Sequence, residues 1–181
     1  MKIKGRVWKY GDDVNTDVIF AGKYTYTVKE RSEMAKHALE DLDPDFAKNA
    51  APGDIIVAGK NWGCGSSREQ AAICLKKRGV GAIIARGFAR IHYRNCLNEG
   101  LPIIVSSEIQ ALVEKGDEIE IDFGTGEITA GGKKIKFPPY PEFVLGLVND
   151  GGLIPHVKKS LNRGAPPRKG TGPLDHLRRL R

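Results

Sequence analysis

Three short apolar runs, Asp54–Ala58 (DIIVA), Val80–Ala85 and Leu101–Val105, punctuate the middle of the chain. The first is bounded by Pro52-Gly53 and Gly59, and all three suit strands buried on both faces. Helix-length segments follow each of them: Ser66 to about Arg78, Phe88 to Glu99 closed by Gly100, and Ser107 to Glu114. Strand–helix alternation with tight connections predicts βαβ units and a parallel sheet. After Gly116 the period drops to two. Ile119, Ile121 and Phe123 alternate with acids, Gly124-Thr125-Gly126 makes a turn, and Ile128, Ile135 and Phe137 continue the alternation, as in an antiparallel β-meander. The fold class is therefore α/β, with a mixed sheet and a C-terminal meander. A strand over 2–10 precedes this, then a loop over 20–28. A helix is expected over 29–42, on Met34, Ala38 and Leu42 with Ala35 and Leu39 alongside, and Pro44 is expected to end it. Pro141 opens a further helix, and Leu153–Leu161 suggests another.

At 181 residues the chain holds one domain with a substantial core. Its formal charge of +7 suggests nucleic acid until the charges are located. Eight of the 29 basic residues but one of the 22 acids lie in 158–181, so the first 157 residues are neutral and offer no basic patch. We divide the chain into a domain over 1–161 and a basic, linker-like and mobile tail over 162–181. No apolar run spans a bilayer, and the start MKIKGRVWKYG lacks a signal-peptide core, so no membrane and a cytoplasmic location are expected. Cys64, Cys74 and Cys96 fit neither a zinc pattern nor a CxxC motif. They read as free thiols with at least one buried, and no metal is expected on this chain.

The chemistry concentrates in GCGSSREQ, Gly63 to Gln70, between a buried strand and a helix. A helix start presents unpaired N–H groups and the positive dipole end, Gly63 and Gly65 allow close approach, and Arg68 adds a planar fork for a carboxylate or phosphate. Ser66 to Glu69 also reads as a capping box, with Ser66 as N-cap, which is compatible with an anion site. The P-loop, dinucleotide and nucleophile-elbow patterns all fail on spacing.

GDDVNTDVI (Gly11 to Ile19), PGDIIVAGKNWGCGSSREQ (Pro52 to Gln70) and GFARIHYRNCLNEGLP (Gly87 to Pro102) occur in the order and spacing found in 3-isopropylmalate dehydratase small subunits. The chain resembles that family over about residues 1 to 160, and through it the mobile fourth domain of aconitase. The resemblance implies the swivelling β/β/α fold and a two-chain hydro-lyase, heterodimer or heterotetramer, acting on a small dicarboxylate. It implies a [4Fe-4S] cluster held by the large subunit and none by this chain, with iron as Lewis acid on the leaving hydroxyl. It makes Ser66 the base, acting as an alkoxide beside preorganised donors, and assigns a substrate carboxylate to Ser67 and Arg68.

Other residues carry two readings. Asp13, Thr16 and Asp17 form an Asx-type turn or brace the substrate loop. Arg90, His92, Arg94 and Asn95 share one helix. His92 reads as a surface or packing histidine, while Arg90 or Arg94 pairs across to the large subunit or supports the site. The loop Ala21–Val28, with Lys23, Tyr24, Thr25 and Tyr26, sits where related subunits read the variable substituent, although both tyrosines also suit a core. It lacks the Arg of homoaconitase-type subunits, so tricarboxylates are expected to be poor substrates. Thr25 and Tyr26 replace the aliphatic residues usual in isopropylmalate subunits and leave citramalate and dimethylmalate open. Two other classes remain: a stand-alone anion-binding module using the same helix start, and nucleic-acid binding by the tail.

Overall fold

The computed structural model describes residues 1–162; the tail expected over 162–181 otherwise lies outside the described residues. The strands are β1 (Lys2–Lys9), β2 (Ile55–Ala58), β3 (Ala82–Ala85), β4 (Ile103–Val105), β5 (Glu118–Asp122), β6 (Glu127–Ala130) and β7 (Lys133–Lys136). They form one sheet in the order β4-β3-β2-β1-β5-β6-β7. The first four are parallel, and β5, β6 and β7 form the expected antiparallel meander. β1 joins the two halves. Val7 to Lys9 pair in parallel with Ile55 to Val57, whereas Lys2 to Arg6 pair antiparallel with Asp122 to Glu118.

Among the described residues the α-helices are α1 (Thr16–Ile19), α2 (Arg31–Met34), α3 (Pro44–Asn49), α4 (Glu69–Arg78), α5 (Arg90–Asn98), α6 (Ile109–Leu112), α7 (Glu142–Asn149) and α8 (Leu153–Asn162). The central strands β2 and β3 are buried on both faces because the core divides across them. Ile56, Ala58, Ile83 and Ala85 pack with α4 residues Ala71, Ala72 and Leu75. Ile55, Val57, Ala82 and Ile84 pack with Ile119, Ile121 and Phe123 of the meander side. This explains why these strands read as unbroken apolar runs, while β5 alternates.

Three expectations are corrected. The helix over 29–42 ends at Met34, followed by a 3-10 turn over Ala35–His37. Leu39 then takes a left-handed φ of 57° so that its N–H reaches Ile19 O at 2.9 Å. Ala38 and Leu39 are still wholly buried, so the apolar spacing was sound but the helix was not. Pro44 opens α3 instead of closing a helix, with Asp43 Oδ1 accepting from the N–H groups of Asp45 and Phe46. Finally, α4 starts at Glu69 with Arg68 as N-cap and no side-chain cap. Ser66 is not a capping residue because the chain before α4 is tied down elsewhere, as the site shows.

Candidate functional site

Three segments meet at the C-terminal ends of adjacent parallel strands, where α/β sheets form crevices. They are 10–16 after β1, 59–68 after β2 and 86–89 after β3. Main-chain bonds sew the middle segment to both neighbours. Gly59 N–H donates to Gly11 O, Gly63 N–H to Val14 O, and Cys64 O accepts from Thr16 N–H at 2.8 Å. On the other side Trp62 N–H donates to Gly87 O and Trp62 O accepts from Ala89 N–H, both at 2.9 Å. The wholly buried Trp62 ring fixes the centre of the loop.

The carboxylates of the first motif act as braces. Asp12 Oδ1 accepts from Lys60 N–H at 2.7 Å and Asp13 Oδ1 from Asn61 Nδ2 at 2.8 Å. Asn15, which the sequence reading passed over, caps α1 by accepting from Asp17 N–H at 2.8 Å. Thr16 Oγ1 donates to Ser66 O at 2.8 Å, and Arg68 Nη2 lies 2.9 Å from Asp17 Oδ1. These two contacts pull Ser66–Arg68 against α1 and out of α4. Gly63 and Gly65 make the path possible, with φ of 76° and 88°. A Cβ on Gly63 would meet His92 Cγ at 2.2 Å, and one on Gly65 would meet Asn15 Oδ1 at 2.4 Å.

A cavity of about 280 Å³ results. The run from Gly65 to Arg68 lines one side, with Thr16, and Arg90, Ile91, His92 and Asn95 of α5 line another. Ser66 and Ser67 are exposed. His92 is 2% exposed. Its burial pulls the imidazole down to about 4, so it is neutral near pH 7. Its Nε2 lies 3.4 Å from Cys96 Sγ, and its Nδ1 is buried without a partner, as is Arg68 Nη1. His92 is thus a packing residue, as one reading held, and it packs behind the Gly63–Arg68 loop.

The structure brings Thr16, Gly63, Gly65, Ser66, Ser67 and Arg68 together as the sequence suggested, with Asp17 on Arg68. The four loop residues do not line this cavity. Lys23 Nζ is held by Asp41 Oδ1 at 3.1 Å, and Tyr24 stacks on His37 at 3.8 Å and donates to Glu40 Oε1. Tyr26 is 87% exposed, and Thr25 Oγ1 is buried without a partner. Gly22 is the loop residue that approaches the site; a Cβ there would lie 3.2 Å from Arg68 Nη1. Arg90 lies on the α5 wall, in keeping with its reading as a residue that supports the site, whereas Ile91 is a wall residue that the sequence reading does not single out. The position of α5 directly after β3 was the usable signal.

The donor set does not fit an iron–sulfur cluster. Cys74 and Cys96 are wholly buried with thiols pushed up by burial, and Cys64 Sγ lies 3.4 Å from Asp13 O. No three His, Cys, Asp or Glu side chains gather as metal ligands among the described residues. None of the described helices is long and apolar enough to cross a membrane.

Residues 13–108 match the aconitase C-terminal domain family. The 3-isopropylmalate dehydratase small subunit 2 of Archaeoglobus fulgidus is 48% identical over 161 residues, covering 88% of this chain and 96% of the relative. The isopropylmalate/citramalate isomerase small subunit of Methanocaldococcus jannaschii is 48% identical over 162 residues, covering 88% and 95%. The methanogen homoaconitase small subunit of Methanothermobacter thermautotrophicus is 46% identical over 164 residues, covering 90% and 94%. A crystal structure of 3-isopropylmalate dehydratase from Methanocaldococcus jannaschii superposes with a TM-score of 0.83 at 42% identity, covering 90% of this chain and 97% of that one. With its seven-stranded mixed sheet and its site loop built from these motifs, the chain belongs to the 3-isopropylmalate dehydratase small-subunit family of aconitase-type hydro-lyases.

Proposed function

We propose that this chain is the small subunit of a two-chain, cytoplasmic hydro-lyase that converts 2-isopropylmalate to 3-isopropylmalate by dehydration and rehydration, a step of leucine biosynthesis. The observation that carries this reading is one cavity lined together by Ser66, Arg68 and Arg90 and by an apolar side chain, Ile91. Two cations suit a dicarboxylate, and the apolar wall suits an alkyl substituent. Ser66 Oγ takes the proton from the carbon beside a carboxylate. Donors at the start of α4 and the neighbouring guanidinium stabilise the anion that makes a serine basic enough. Arg68 and Ser67 hold the carboxylate. The large subunit holds the cluster.

A second reading takes another substituted malate as substrate. It is favoured by a relative named for both isopropylmalate and citramalate. A tricarboxylate such as homocitrate would draw on Lys23, which must first leave Asp41. Steady-state assays of the pair reconstituted with its cluster-loaded large subunit test the proposal. The expected kcat/KM is highest for an alkyl-substituted malate and at least about tenfold lower for homocitrate and citrate, a difference of about 1.4 kcal/mol. Homocitrate or citrate as best substrate overturns it.

A further inference from the structure

Among the described residues, Arg86, Arg90 and Arg94 are unlike the other arginines. Arg6, Arg31 and Arg68 lie against carboxylates, and Arg78 donates to Lys48 O. The three from 86 to 94 have neither an ion pair nor a side-chain hydrogen bond within the described fold. Two of them also sit where local energetics disfavour them. Arg90 opens α5 at its positive dipole end, with no acid in the first turn, and Arg94 repeats the charge one turn later. A second cavity of about 280 Å³ lies between them, lined by Phe88, Arg90, Tyr93, Arg94 and Val105. Phe88 and Tyr93 meet edge to face at 5.9 Å, and Val105, on the edge strand β4, is 52% exposed. Arg90 lines both this groove and the site cavity, so the groove extends the site outward.

We infer that this groove is a docking point for the large subunit, which inserts a carboxylate side chain against Arg94 and an apolar side chain against Phe88, Tyr93 and Val105, leaving Arg90 to the site cavity. The inference rests on the small-subunit reading above. Charge selects the occupant. A second copy of this chain would set arginines against arginines across a two-fold interface, whereas a carboxylate neutralises Arg94. Continuity with the site favours the subunit that must cover that site.

The test is the Kd of the full chain for its cluster-loaded large subunit, read apart from turnover. Arg94→Glu is expected to raise Kd at least about tenfold in about 50 mM salt and by less in about 300 mM. At saturating partner, kcat should stay within about twofold of wild type. Lys133→Glu on β7, at the opposite edge of the sheet, should leave Kd unchanged. Should Arg94→Glu fail to fold by circular dichroism, Arg94→Gln carries the same measurement with a smaller expected rise. An unchanged Kd, or a lost kcat at unchanged Kd, overturns the assignment, as does self-association of the chain that Arg94→Glu abolishes. A pair that binds with the expected Arg94 dependence but converts no malate supports the docking point and counts against the proposed reaction.

Discussion

Asp17 Oδ1 lies 2.9 Å from Arg68 Nη2, so the guanidinium assigned to the substrate is already oriented by a carboxylate of its own chain. Both side chains are partly exposed, and such a pair adds little stability, within about 1 kcal/mol. Its effect is to hold one face of the fork while leaving the rest for an incoming carboxylate. Asp17→Asn should therefore raise KM at least about fivefold with a small change in melting temperature. Arg68→Lys should do the same more severely, because an ammonium cannot make the bidentate pair. Unchanged KM in both variants would remove Arg68 from the substrate site.

Ser66→Ala separates chemistry from structure. Since Ser66 caps nothing, the change should cost no more than about 0.5 kcal/mol in urea denaturation. Turnover with a competent large subunit should be abolished. Near-wild-type kcat would exclude Ser66 as the base.

Gly63→Ala places a Cβ 2.2 Å from His92 Cγ at a φ of 76°, so both backbone strain and overlap oppose it. The expected loss is about 2–4 kcal/mol. His92→Ala in the same chain should recover only the ring part of the overlap, since the Cβ of residue 92 would still lie 2.5 Å away, and none of the strain. A double-mutant cycle showing no coupling between the two positions would mean that the contact is relieved at no cost.

His92 also predicts a pH dependence. Burial depresses its folded value to about 4, against an ordinary 6.5, so the unfolded chain binds the proton more readily. The stabilising contribution is complete above about pH 6.5 and is lost progressively as pH falls toward 4, by up to about 3 kcal/mol. Chemical denaturation of wild type and His92→Gln between pH 4 and 7 should show the steeper fall in wild type. Parallel curves would contradict the buried neutral imidazole.

Much of the sheet was readable because its cause is local. Ile55–Ala58 is apolar throughout since helices and meander cover both faces, and Ile119 and Ile121 alternate because one face meets water. What escaped reading depends on distant partners. Leu39 leaves the helix for a bond to Ile19 O, twenty residues back in sequence, and Ser66 leaves its capping box because Thr16 and Asp17 hold the neighbouring chain. The site followed the same division. GCGSSREQ marks itself by composition, whereas Ile91 and His92 become wall residues only because Trp62 pairs its backbone with Gly87 and Ala89.

The double pairing of β1 bears on how the chain is assembled during synthesis. Its second half finds Ile55–Val57 early, but Ile3 must wait for Ile121, and Lys2 for Asp122. Until those residues emerge, Lys2 to Arg6 present an open strand edge of the kind that invites pairing with other chains. The alternating lysines along that edge, Lys2 and Lys4, later meet Asp122, Glu120 and Glu118. In the nascent chain they supply the repulsion that keeps one unfinished copy from joining another.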